Sequence, residues 1–391
     1  MNRREFLTTA AATPVLAFVA PHLAMAAANW DRTLILVELN GGNDGLNMVV
    51  PYADPLYAKL RPTLKVAPQK VLQLDEKLGL APEMTALMNH WKDKHLAVAM
   101  GVGYPDPNLS HFRGIEIWDT ASDATQYAQL GWVAQAYQAS GSPPATFTAD
   151  GIVLGRAYMG PLTAPDRRIV VLEKSTAKMN QAGMIPQPNA LADMGGPANA
   201  ALARVLSVQQ NFKTAAADII THKIDTVDPK ATFPAGDLGP QLEIAARLLV
   251  AKVQVPVIKV SLGGFDTHAG QPNDQPRLLG ELSNALDAFA KSMKANGLWD
   301  KVLIMTYSEF GRRPAENGSS GTDHGTSAPH FLLGGRVKGG IYGEQPSLKD
   351  FADGQNMAHR LHFRSMYATA AKEWMGLSAP FLKEPGLGAI A

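Results

Sequence analysis

Four short apolar runs, each stopping at a cluster of Gly, Asp or Ser, constrain this chain more than any other feature. Residues 33–39 (TLILVEL) run into Asn40-Gly41-Gly42-Asn43-Asp44-Gly45, and residues 96–102 (LAVAMGV) lead through Tyr104-Pro105-Asp106-Pro107 to Ser110. Residues 255–262 (VPVIKVSL) stop at Gly263-Gly264-Phe265-Asp266, and residues 302–307 (VLIMTY) stop at Ser308-Glu309-Phe310-Gly311. Continuous apolar runs bounded by turn signals read as strands buried on both faces. Between the third and fourth, residues 277–296 are apolar at Leu278, Leu279, Leu282, Leu286, Phe289 and Met293, a helical spacing. Strand, helix, strand predicts an α/β fold with a mostly parallel sheet.

Hydrophobic residues make up 46% of the 391 and charged residues 18%, which excludes a disordered chain, a coiled coil and a fibrous repeat. A net charge of +1 offers no electrostatic footprint for nucleic acid. Cysteine is absent, so disulfides, thiolate zinc sites and a cysteine nucleophile are all excluded.

The first residues read as an address. Asn2-Arg3-Arg4-Glu5-Phe6-Leu7 precedes a mildly apolar stretch, 8–23, broken by Pro14 and Pro21, and Ala24-Met25-Ala26 is an A-x-A cleavage pattern. The arginine pair marks a twin-arginine export signal over 1–26, read by the twin-arginine translocase, with the mature chain starting at Ala27. The Pro-broken core falls short of the ~20 residues a spanning helix needs. No later segment is long and apolar enough to span a bilayer, so a soluble periplasmic or secreted protein is expected. Export in the folded state suits a chain that acquires a cofactor first. Residues 27–391 are expected to form the folded domain. Within it, 121–239 is rich in Ala, Gln, Pro and Gly and reads as an insertion or cap, with short runs such as 169–172 and a helix-like 199–220.

Asp44, Ser110, Asp266, His268 and Glu309 all fall just past the carboxyl ends of predicted strands, the edge at which open α/β sheets bind ligands. Asp323-His324-Gly325 follows a loop of mostly small polar residues. These oxygen and nitrogen donors suit zinc, manganese or magnesium. The competing reading is a set of strand-end turn residues, with Asp in Asx-turns and His on loop carbonyls. The Gly41–Gly45 loop lacks both the G-x-G-x-x-G spacing and a Walker lysine, so its glycines are better suited to a sharp turn than to phosphate. Ser110 stands where a helix should start, either as an N-cap or as a nucleophile favoured by the helix dipole. His111 and Arg113 beside it are open to contact with an anion or to a solvated surface role.

Six ordered motifs carry a resemblance: Leu39-Asn40-Gly41-Gly42-Asn43-Asp44-Gly45-Leu46-Asn47, Ser110-His111-Phe112, Gly264-Phe265-Asp266-Thr267-His268, Ser308-Glu309-Phe310-Gly311-Arg312, Gly321-Thr322-Asp323-His324-Gly325 and the stretch 333–340. Together they resemble the secreted bacterial family of domain of unknown function 1501, which is similar to the alkaline-phosphatase/sulfatase-like superfamily. The resemblance implies a three-layer sandwich and a hydrolase of phosphate or sulfate esters using divalent metal, zinc first and magnesium, manganese or calcium as alternatives. It implies Asp44, Asp266, His268, Glu309, Asp323 and His324 as metal ligands and Ser110 as nucleophile. Its substrate would be a small anionic ester or a sulfated or phosphorylated glycan. The rival is a catalytically degenerate exported protein that binds a metal or a glycan. The superfamily's further histidine has two candidates, His359 and His362. Ser110-His111-Phe112-Arg113 lacks the proline of the formylglycine signature, which argues against a conventional arylsulfatase.

The export reading is tested with an Arg3→Lys, Arg4→Lys double variant: periplasmic yield should collapse, and amino-terminal sequencing of the wild type should begin at Ala27. Undiminished yield would reject the twin-arginine route.

Overall fold

The computed structural model describes residues 28–172, 200–351 and 353–391, with the backbone alone given at 200–205 and 207. The expected signal at 1–26 and its cleavage point before Ala27 lie outside the described residues. All four predicted strands are present: β1 (Thr33–Asn40), β2 (Leu96–Gly103), β5 (Val257–Gly263) and β6 (Val302–Tyr307). Four further strands join the same sheet, namely β3 (Gly151–Leu154), β4 (Ile169–Leu172), β7 (Ala328–Leu333) and β8 (Gly340–Tyr342).

Strand order is β8-β2-β7-β6-β1-β5-β3-β4, with the short segment Leu361–His362 also paired to β2. β1 is central and parallel to both neighbours, Leu34 opposing Val257 of β5 and Leu303 of β6. β7 runs antiparallel to β2 and to β6, and the other pairings within this sheet are parallel. The stretch 121–239, expected as an insertion or cap, therefore supplies β3 and β4 to the sheet itself. Of these, β4 coincides with the short run 169–172, while β3, four residues long, does not stand out from its surroundings.

The side-chain alternation of β1 divides the core. Ile35, Val37 and Leu39 face one layer of helices, α3 (Ala200–Thr221), α4 (Leu238–Val250) and α5 (Gln271–Ala295). Leu34 and Leu36 face the other, α1 (His111–Thr120), α2 (Trp132–Ser140) and α6 (Phe363–Ala368). The result is the expected three-layer α/β sandwich. Each fully buried Leu or Ile of this sheet contributes about 1.5–3 kcal/mol of burial. The charges inside β1 and β5 are tolerated because they meet: Lys259 Nζ donates to Glu38 Oε2 at 2.7 Å, both side chains buried. No helix among the described residues is long and apolar enough to cross a membrane.

α5 begins at Gln271, six residues before its predicted start, because Pro272 falls in the first turn, where no intrahelical N–H is needed. That extra turn brings Gln271 and Gln275 beneath the loop after β1, where they bond Asp44 and Asn43.

On β7, His330 is fully buried with neither ring nitrogen hydrogen-bonded, and its ring meets the edge of Trp118. Burial pushes its pKa down to about 3. The unfolded chain takes up a proton near the ordinary value while the folded chain does not, so stability should fall as pH drops from about 6.5 towards 3, by about 1.4 kcal/mol per unit for this group. Thermal melting of His330→Leu between pH 7 and pH 4 should show a shallower pH slope than the wild type; parallel slopes would contradict this assignment.

Candidate functional site

The carboxyl ends of β1, β5 and β6, the loop before β7 and the amino end of α1 converge on one patch. Three side chains there present ligand atoms within 4.8 Å of one another: His111, Asp266 and His324. His111 Nε2 lies 3.3 Å from Asp266 Oδ2, and His324 Nε2 lies 3.4 Å from Asp266 Oδ1. His268 joins them, its Nε2 2.9 Å from His324 Nε2 and 3.2 Å from Asp266 Oδ1. Asp323 stands behind His268, 3.4 Å from its Nδ1.

The two inner imidazoles have their outer nitrogens occupied. His111 Nδ1 donates to Glu309 Oε1 at 2.8 Å, and His324 Nδ1 donates to the Leu109 carbonyl at 2.7 Å. Each ring is thereby held in the tautomer that turns the Nε2 lone pair towards Asp266, the arrangement that orients histidine ligands in metal centres. Phe310 packs against both rings, with centroids 4.9 Å from His111 and 4.4 Å from His324. His111 Nε2 is buried with no hydrogen-bond partner. A neutral His268 can donate to His324 or to Asp323 but not to both, so this group of lone pairs is left short of positive charge. A cation among these atoms would supply it, and His111, Asp266 and His324 are the residues that could hold one. Two imidazoles and a carboxylate are a zinc-type donor set, and Asp266, with a side chain 48% exposed, leaves the group open to solvent.

Arg312 holds the frame. Its fully buried guanidinium donates to the carbonyls of Gly42 at 2.6 Å, Thr322 at 2.7 Å, Phe265 at 3.0 Å and Gly41, and to Asp266 Oδ1 at 2.8 Å. The loop after β1 must come very close to do this. A Cβ on Gly41 (φ +120°) would stand 2.4 Å from the Asp266 amide, and one on Gly42 (φ +75°) 2.3 Å from the Phe310 ring. Glycine is required at both positions.

The titration shifts follow this wiring. The Glu309 hydrogen bond raises the His111 pKa, against burial and Arg312. Burial lowers His324, and the nearby charges of Arg312 and His111 add to that. Burial alone would raise Asp266, but Arg312, His111 and His324 outweigh it and the net shift is downward. Asp323 is held low first by the Asn317 hydrogen bond, 3.1 Å long, then by His268 and Arg313.

Four of the six expected ligands, Asp266, His268, Asp323 and His324, come together here. The other two carboxylates have different partners. Asp44 is fully buried, with Oδ2 2.5 Å from Arg61 Nη1 and also accepting from Gln271, and Oδ1 2.9 Å from Arg61 Nη2. Glu309 accepts from the Gly41 amide at 2.9 Å, from His111 and from Ser308 Oγ, so it fixes the His111 ring from behind. His111, left open between an anion contact and a surface role, is a member of the cluster. Ser110 is exposed at the N-cap position of α1, and its hydroxyl makes no capping bond. The Arg113 guanidinium is spent on the carbonyls of Asp123, Ala124 and Gln126 and on Glu116. His359 and His362 lie beside β2, with His362 Nε2 3.6 Å from Glu384.

Fold and cluster together define an α/β protein with a histidine–carboxylate donor group at the carboxyl edge of its parallel strands. Residues 31–378 match the family described as protein of unknown function (DUF1501), and the chain belongs to that family. Comparison with curated proteins gave no match. Similar solved structures include the lipoteichoic acid synthase LtaP from Listeria monocytogenes, 9% identical, covering 78% of this chain and 65% of that one, with a TM-score of 0.34. This chain thus spans less than two thirds of that structure's length. The C-terminal periplasmic domain of EcEptC from Escherichia coli, in complex with Zn, is 13% identical over 89% of this chain and 83% of its own, with a TM-score of 0.42. Alkaline phosphatase from the Antarctic bacterium TAB5 is 13% identical over 80% and 94%, with a TM-score of 0.33.

Arg312→Lys should cost about 3–5 kcal/mol in denaturant unfolding, because a buried charge loses its partners and several carbonyls go unpaired. Arg313→Lys, on the half-exposed neighbour, should change stability by no more than about 0.5 kcal/mol. Comparable small losses in both variants would remove Arg312 from its place at the centre of the frame.

Proposed function

We propose that this protein is an exported, metal-dependent hydrolase of phosphate or sulfate esters. One observation carries the reading: two histidines, each locked through its outer nitrogen, aim their inner nitrogens at a carboxylate that faces solvent. His111, Asp266 and His324 would hold a divalent ion, with His268 and Asp323 beside them, and zinc suits these donors best. Such an ion, when bound, supplies Lewis-acid polarisation of the ester oxygens.

The rest is the work of this chain's own residues. Glu309 and the Leu109 carbonyl keep the imidazoles in the ligating tautomer, and Arg312 keeps Asp266 ionised and in place. Arg61, bonded to both oxygens of Asp44, supplies a fixed positive charge at a carboxylate that the resemblance implies as a metal ligand. The expected metal content is therefore one tightly held ion per chain.

Ser110 is proposed as the nucleophile, its Oγ bonding to phosphorus or sulfur as the ester alcohol leaves. Its hydroxyl is free of any capping duty, it adjoins His111, and the amino end of α1 favours an anion. Ser110→Ala should abolish turnover of aryl phosphate and sulfate esters while leaving metal content unchanged and stability within about 0.5 kcal/mol, below the usual loss of a working N-cap. His111→Ala and His324→Ala should each strip the metal, read by elemental analysis of protein purified from the periplasm. A metal-free wild type would end the hydrolase reading, and an active Ser110→Ala would end the covalent route.

A further inference from the structure

Gln271 and Gln275 tie the first turns of α5 to the loop after β1, and the same two residues line a cavity of about 270 Å³. Residues 63–67 and Lys70 form a second wall, and Pro82 and Glu83 form a third. The cavity has one unmet acceptor. Gln275 is 2% exposed, and its Nε2 donates to Asn43 Oδ1 at 2.9 Å and to the Asp44 carbonyl at 3.2 Å. Both contacts are acceptors, so the amide cannot be turned the other way round, and its Oε1 is left buried without a partner. A buried carbonyl oxygen without a donor is destabilising, and native folds keep few of them. Gln271, one turn earlier, differs in this respect: its amide is fully engaged by Asp44, Thr267 and Thr322.

The charged residues of the lining are equally unengaged. Lys65, Lys70 and Glu83 are exposed, and among the described residues none of the three has an ion-pair partner within 4.0 Å. The cavity therefore carries two cations, one anion and a buried acceptor, all without partners in the fold. Pro272, Pro276 and Leu279 add apolar surface on the α5 side, and the two proline rings make it stiff.

We propose that this cavity binds a small amino dicarboxylate. Such a molecule answers the lining group by group. Its two carboxylates match Lys65 and Lys70, its ammonium matches Glu83 and the donor-seeking Gln275 oxygen, and its methylenes suit the proline and leucine surface. At roughly 30 Å³ per water the cavity has room for about nine waters, the size of an amino dicarboxylate and too little for a nucleotide. Two lysines repel a metal ion, and a plain inorganic anion would leave Glu83 and Gln275 unanswered. The site is separate from the ester-hydrolase reading and does not rest on it.

The test is isothermal titration calorimetry of the full mature chain with L-aspartate, L-glutamate, their deaminated counterparts succinate and glutarate, and inorganic phosphate. At least one of the two amino acids should bind at one site per chain, and its deaminated counterpart should bind about tenfold more weakly. Lys65→Met and Lys70→Met should each weaken the amino acid about tenfold with melting temperature unchanged. Glu83→Gln should weaken the amino acid but not its deaminated counterpart, a difference that a general loss of structure would not produce. His324→Ala should bind the amino acid as the wild type does. Lack of binding by both amino acids, phosphate binding as tightly as either, lysine variants indistinguishable from wild type, or a Glu83→Gln variant that weakens both partners of a pair equally would each overturn the site. Loss of binding in His324→Ala would also overturn it, by moving the ligand to the donor group.

Discussion

One buried guanidinium decides whether the site exists. Sheet twist fans apart the loops at the carboxyl edge, and Arg312 reaches across them to gather the carbonyls of Gly41, Gly42, Phe265 and Thr322 and the carboxylate of Asp266. Having lost its water, the charge is stable only while those oxygens surround it. The requirement runs both ways. The loops supply the solvation, and in doing so they are held at the separations that bring Asp266 to His324 and His111. Gly41 and Gly42 are the steric condition for this, since any Cβ there would keep the first loop from closing on the second and third.

Around that frame, carboxylates of similar sequence context divide by partner. Asp44 and Glu309 are buried and fully engaged, one by a guanidinium and the other by an imidazole, an amide and a hydroxyl. Asp266 and Asp323 keep part of their surface in solvent and face histidines. The first pair sets positions and tautomers. The second pair offers the charge that a cation would take.

Much of this was legible in the sequence, and the gaps have physical causes. The four long strands show as apolar runs because both their faces are covered, and their carboxyl ends place Asp266, His268 and Glu309 on one edge. β7 was not legible: Pro329 and the buried His330 interrupt its apolar pattern. The antiparallel course of β7 is what brings Asp323 and His324, which precede it, to an edge otherwise reached from strand ends. The role of Asp44 was equally hidden, since its partner Arg61 lies 17 positions on and position at a sheet edge does not say which charge will meet it. His111 carried a signal that could have been weighted more heavily, a histidine at the first turn of a helix that follows a strand end.

The central place of β1 has a consequence for how the chain is made. Among the described residues β1 is the first strand of the sheet to be made, yet its partners begin at Val257 and Val302, more than 200 residues later. For most of synthesis it is an apolar segment with both edges unpaired, the kind of strand that invites association with other chains. The sheet cannot close around it until the chain has been made as far as Tyr307, and such long-range pairing is slow. A chain built in this order depends on being shielded early and released late.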